Sequence, residues 1–200
     1  MKKVILVLVL AVSAIAVNAQ ARFGLKAGVN IATLGGDDLE DVEGKKSNTG
    51  FYFGGLVNVP LSTNFAFQPE LIYSAKQGIE FNDGAEVNIN LGYINIPLML
   101  QYMSSGFVAE LGPQVGFNLT SKAKFDGEEE DFDDQIKGID FGVNVGLGYI
   151  TNSGFGFNAR YNLGLSNIGE ESDSDVKNRV FQVGFVYMFG AKAGKTGKAK

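Results

Sequence analysis

Apolar and polar residues alternate with a period of two along most of this chain. Between Phe155 and Gly164 the odd positions are Phe, Phe, Ala, Tyr and Leu, and the even ones Gly, Asn, Arg, Asn and Gly. Asp140 to Tyr149 repeats the scheme, and Phe23 to Ala32 and Ala109 to Asn118 follow it. A period of two sends alternate side chains to opposite faces of a β-strand, whereas a helix needs about 3.6. Eight segments read as strands: residues 22–33, 49–59, 65–76, 88–102, 107–119, 137–150, 155–166 and 178–189. Ordinary strands run to ~5–6 residues, and a strand that crosses a bilayer at a tilt needs ~9–11. These segments fit the second case.

The connections alternate in length. Pro60–Asn64, Met103–Gly106 and Thr151–Gly154 are short and rich in Gly, Asn and Ser, as tight turns require. Long polar loops are expected at about 34–48, 77–87, 120–136 and 167–177. Short, long, short, long is an up-and-down antiparallel meander. With eight strands, both chain ends fall on the side of the short turns, which in membrane barrels is the periplasmic side.

The composition of the two faces decides what surrounds the sheet. In segments 1, 5, 6 and 7 the twenty positions of one parity hold nine Gly, six Asn or Gln, four charges and one Ala. The other twenty hold seven Phe or Tyr, nine Val, Leu or Ile, three Ala and one Pro. A soluble, lipocalin-like carrier has an apolar interior, and its wet face would not be nearly half Gly, which costs ~0.5–1 kcal/mol per strand position relative to Ala. A narrow lumen does need small residues, because eight strands leave only enough room for side chains to fill. The expected fold class is therefore all-β: an eight-stranded antiparallel up-and-down transmembrane β-barrel, aromatic face to the lipid. Tyr102, Phe107, Tyr149, Phe155, Tyr187 and Phe189 are expected at the periplasmic interface, and Phe51, Tyr73, Phe117 and Phe181 near the outer one.

The N-terminus fits that destination. Lys2 and Lys3 precede an apolar run from Val4 to Val17, and Val17-Asn18-Ala19 offers small residues before a cleavage point. Residues 1–19 are expected to be a cleaved signal peptide, 20–190 the barrel, and 191–200, with four Lys and no acid, a periplasmic tail without fixed structure. The predicted location is the outer membrane of a Gram-negative bacterium. Without the leader, fifteen basic residues face twenty-two acidic ones, which argues against nucleic acid as a partner.

The segment Gly92 to Tyr102, with Tyr93, Ile96, Pro97, Leu98 and Tyr102, resembles the "Y-x-x-I-P-L-x-x-x-Y" strand of the PorT-like outer-membrane β-barrel proteins. Phe23 to Asn30 and Gln68 to Ser74 are similar to theirs as well. The resemblance implies the same barrel type, carries no catalytic motif, and includes one branch that serves protein secretion. Aromatic-ended last strands like the one ending at Phe189 are read by barrel-assembly machinery in similar proteins.

Nineteen of the twenty-two acidic residues fall in the long loops; the exceptions are Glu70, Glu110 and Asp140. These three share lumen parity with Lys26 and Arg160. An unpaired charge in a confined lumen is costly, so an internal network is expected in which Arg160 and Lys26 meet Glu70 and Glu110, with Asp140 nearer the outer mouth. The third loop holds seven acids in nine residues, and Asp126, Glu128, Glu130, Asp131, Asp133 and Asp134 are a weak candidate set for Ca²⁺ without EF-hand spacing. No resident metal or cofactor is expected. The chain has neither His nor Cys, so triads built on them are excluded and an enzyme is not expected. The expected role is structural or interaction-type, with acidic surface loops over a plugged lumen. The expected partners are outer-membrane lipid and lipopolysaccharide, barrel-assembly machinery and a protein at the loops. The alternatives are a narrow, porin-like solute channel or an accessory component of protein secretion.

Overall fold

The computed structural model describes residues 21–35, 45–82, 86–125, 128–131, 137–167 and 176–190. The expected signal peptide, the Lys-rich tail and much of the acidic loops lie outside the described residues. Eight long strands follow one another: β1 (Arg22–Gly35), β2 (Lys45–Pro60), β3 (Phe65–Asn82), β4 (Glu86–Ser104), β5 (Phe107–Phe125), β7 (Ile139–Ile150), β8 (Phe155–Gly164) and β9 (Lys177–Met188). A four-residue strand, β6 (Glu128–Asp131), sits between β5 and β7.

Each long strand pairs antiparallel with the next, and β1 also pairs with β9, from Gly24 opposite Met188 to Gly35 opposite Lys177. The sheet therefore closes on itself and leaves no open edge in the ring. The β4–β5 connection is a two-residue turn in which Ser105 (φ 52°) and Gly106 (φ 91°) both adopt positive φ. Turns of that hand match the right-handed twist of a hairpin. At the β7–β8 turn, Gly154 (φ 88°) plays the same part, and its carbonyl accepts a hydrogen bond from the Met188 N–H.

Three expected loops are shorter than the sequence suggests: in the first, β1 runs to Gly35 and β2 starts at Lys45, with 45–47 paired to 79–81. Residues 77–82 pair with 86–91, and 87–91 pair in turn with 121–125. Residues 122–125 then fold back onto β6. The pattern 78–81 does alternate, but Glu80 within it reads as loop, whereas 88–91 belongs to the fourth expected strand. The outer ends of β3, β4, β5 and β6 instead continue as a paired sheet beyond the ring, with Lys122 opposite Asp131 and Lys124 opposite Glu129.

The parity read from the sequence is kept. Phe23, Leu25, Phe141, Val145, Leu147, Phe155, Phe157 and Phe185 are exposed on the outer face. Rings gather on the side of the short turns: Phe107 against Tyr149 at 5.2 Å, Phe65 against Tyr102 at 5.4 Å, and Tyr187 against Phe189 at 5.3 Å. Higher up, Phe53 and Tyr73 meet at 5.4 Å. The inner face differs in one respect from a lining of Gly and amides. β2, β4 and β9 turn Tyr52, Leu56, Tyr93, Met99, Val186 and Met188 inward, all buried. The glycines of neighbouring strands make room for them. A Cβ at Gly28 would come within 2.8 Å of the Tyr52 ring, and one at Gly24 within 2.9 Å of both Leu56 and Met188. Bulk on one wall is matched by its absence on the next, which is how a narrow barrel reaches close packing.

Candidate functional site

Strand register builds the lumen site. Arg160 on β8 and Glu110 on β5 both lie opposite Gly146 of the intervening β7. Neighbouring strands are ~4.8 Å apart, so these two backbones are separated by roughly 10 Å. With no side chain at Gly146, the guanidinium reaches across to the carboxylate. Arg160 Nε donates to Glu110 Oε1 at 2.8 Å, and Nη2 lies 2.7 Å from the same oxygen. The outer pair of guanidinium nitrogens crosses the lumen to β3, four strands round the ring. Nη1 and Nη2 donate to Glu70 Oε2 and Oε1, each at 2.8 Å. Such a bidentate fork fixes direction as well as charge. Lys26 Nζ, from β1, donates to Glu70 Oε1 at 3.1 Å. Two cations and two anions thus balance, and Arg160 is only 1% exposed.

Amides complete the carboxylates' shells. Gln68 Nε2 donates to Glu70 Oε1 at 2.8 Å and Gln101 Nε2 to Glu110 Oε2 at 2.9 Å. Asn58 Nδ2 then donates to the carbonyl oxygens of both glutamines, at 3.1 and 2.9 Å. Six strands (β1, β2, β3, β4, β5 and β8) contribute side chains to this one cluster. Sequence reasoning did not single out Asn58, Gln68 or Gln101. Their signal was inner parity, two residues from Glu70 for Gln68 and opposite Glu110 for Gln101, but the second is visible only once register is known.

Asp140 is not brought into this cluster. Its carboxylate accepts from Ser166 Oγ at 2.7 Å and from Asn178 Nδ2 at 2.8 Å, neutral donors towards the end of the barrel that carries the long connections. Between the two sites lies a belt of amides: Gln182 to Asn30 at 2.8 Å, Asn162 to Asn144 at 3.1 Å, and Asn144 to Gln114 at 3.2 Å. On the side of the short turns, Leu56, Val186 and Met188 form an apolar cluster with Ile150 packed against it. The lumen is thus filled in layers, apolar, ionic and amide, from the short-turn end upward.

Among the described residues, no three acidic side chains converge as a metal site. Of the Ca²⁺ candidates, Asp126, Asp133 and Asp134 lie outside the described residues. Glu128, Glu130 and Asp131 belong to β6, whose backbone alone is described.

Residues 18–170 match the family model of the outer membrane protein beta-barrel domain. The chain belongs to that family. The outer-membrane barrel also superposes on solved structures from two bacteria. Neisserial surface protein A gives a TM-score of 0.57 at 14% identity, covering 82% of this chain and 96% of that one. The attachment invasion locus protein Ail of Yersinia pestis gives 0.50 at 14% identity, over 84% and 99%. No curated protein matches the sequence. The aromatic face of the closed sheet therefore faces outer-membrane lipid, and the layered lumen runs between the periplasm and the exterior.

Proposed function

We propose that this outer-membrane barrel is a closed scaffold of structural or interaction type, whose specific contacts are made by its acidic surface loops. The observation that carries the reading is the Arg160 bridge from β8 to both Glu70 and Glu110, which crosses the lumen at its charged layer. The apolar layer of Leu56, Val186 and Met188 supports it as a second seal in series. The acidic loops suit a protein partner or the cation-bridged lipopolysaccharide surface, and loop three is the place for loosely held divalent ions. The PorT-like resemblance of Gly92 to Tyr102 favours an accessory role in protein secretion as the finer version of this reading. The absence of His and Cys from the sequence supports a role without catalysis.

Conductance in planar bilayers tests the proposal. The purified protein is expected to give no steady channels, and Arg160→Ala alone is expected to give none either, because the apolar seal remains. Stable single-channel steps from the unaltered protein would establish the porin-like alternative instead.

A further inference from the structure

On the lipid face, one row of side chains is smaller than the rows on either side of it. Ala109 of β5, Leu147 of β7, Ala159 of β8 and Val183 of β9 stand opposite one another in register, with Tyr102 of β4 opposite Ala109. Two residues nearer the short turns, the row is Phe107, Tyr149 and Phe157. Two residues further away, it is Leu111, Val145 and Tyr161. Residues two apart on a strand share a face, so large side chains flank the two alanines on both sides and leave a trough between them. The rings of Phe107, Tyr149 and Phe157 stand against one another along one wall, with successive centroids 5.2 and 6.2 Å apart. The trough has a volume of about 350 Å³, within the ~300–1,000 Å³ of small-molecule sites. Ala27, Ala109 and Ala159 are alanines of the outward parity on β1, β5 and β8, and two of the three lie here.

We propose that this trough is a binding site for one acyl chain of a phospholipid in the periplasmic leaflet. Its depth selects the leaflet, because its ring-lined wall stands beside the short turns, which face the periplasm. Its continuity selects the ligand. It opens on the same apolar face that lipid covers, and no charged residue lines it. A second copy of the chain would need ~20–30 residues a side for a stable interface, and eleven line the trough. The turns that flank it, residues 103–106 and 151–154, are uncharged as well, so the contact reads the chain of the lipid and not the charge of its headgroup. Lipid tails gain nothing hydrophobic by leaving other tails, so the contact rests on shape and dispersion. A chain in the trough meets protein at its floor and along both walls, whereas a chain on the rest of the face meets it on one side only. It therefore exchanges more slowly.

Native mass spectrometry of the full-length protein tests this, after reconstitution with phosphatidylethanolamine and lipopolysaccharide and extraction into detergent. One phosphatidylethanolamine is expected to stay on the barrel. Ala109→Phe with Ala159→Phe fills the trough and is expected to lose it, while Ala27→Phe, the same change outside the trough, keeps it. The second readout uses the unaltered protein in lipid nanodiscs. Nuclear Overhauser effects from the lipid chains are expected to be stronger at the Ala109 and Ala159 methyl groups than at Ala27. Four results overturn the proposal: no retained phospholipid, retention unchanged in the double variant, lipopolysaccharide retained in its place, or a dimer that the double variant dissolves. If the double variant does not fold, the methyl measurement decides, and equal effects at the three alanines overturn the proposal.

Discussion

Replacing Arg160 by Met removes a charge and keeps most of the side-chain volume, so it isolates the electrostatics of the lumen. Its consequences for the two carboxylates are unequal. Glu70 keeps Lys26 at 3.1 Å and Gln68 at 2.8 Å. Glu110 keeps Gln101 at 2.9 Å and loses its contact with a guanidinium. The layer then carries two anions and one cation in a site that water scarcely reaches. Removing one partner from a buried pair costs about 3–5 kcal/mol, roughly two to four decades in the folding equilibrium. A second substitution, Glu110→Gln, discharges the stranded group and leaves Lys26 and Glu70 as a balanced pair. Arg160→Met with Glu110→Gln is therefore expected to recover most of that loss, although it departs further from the native sequence. The chain has no Trp, so indole fluorescence is not an option. The faster gel migration of an unheated, folded barrel reports the folded fraction across a urea series in lipid vesicles. The reasoning is refuted if Arg160→Met lies within ~1 kcal/mol of the parent. It is refuted equally if the double variant is as unstable as the sum of the two single ones.

Gly146→Val places a Cβ 2.8 Å from Glu110 Oε1 and 2.9 Å from the Ala159 carbonyl; a loss of about 1–3 kcal/mol is expected in the same urea series. Gly55→Ala is its control, since the nearest atom to its Cβ is 3.9 Å away, and it is expected to be neutral or stabilising by a few tenths of a kcal/mol. On the lipid face, Val145→Arg near the middle of β7 is expected to cost about 2–4 kcal/mol, and Phe107→Arg beside the β4–β5 turn about 0–1 kcal/mol. Equal costs at the two positions would contradict the membrane depth assigned to them.

The closed meander was legible because β1, β5, β7 and β8 segregate their two parities almost completely, and no tertiary knowledge is needed to see it. β4 shows why the same rule weakens elsewhere. Leu91, Tyr93 and Met99 point inward while Ile94, Ile96, Leu98 and Leu100 occupy the other parity, so both faces read as apolar. Parity names a face but is silent about size. The fit of Tyr52 over Gly28 and Gly184 depends on β2, β1 and β9 meeting at one register, which no single strand encodes. The candidate site divides in the same way. Lys26, Glu70, Glu110 and Arg160 were visible as charges on the wrong side of an apolar alternation. Asp140 shares that parity, yet its place at the start of β7 puts it with Ser166 and Asn178 instead. The paired outer ends of β3 to β6 were hidden because acidic residues read as loop, although a strand that projects above a membrane has water on both faces and tolerates them.

The span of the Arg160 bridge bears on assembly order. Glu70 and Arg160 are separated by 90 residues, and Asn30 and Gln182 by 152. Neither contact exists in any single hairpin. In a half-built sheet that ends at β5, Lys26 and Glu70 can already pair, whereas Glu110 carries a charge that only Arg160 of β8 neutralises. The inner face must therefore stay hydrated until β8 and β9 arrive. Arg160 meets Glu110 once β8 pairs with β7, and joining β1 to β9 closes the ring around the ionic layer. The trans-lumen part of the stability is thus gained late, with β8 and the closure of the ring.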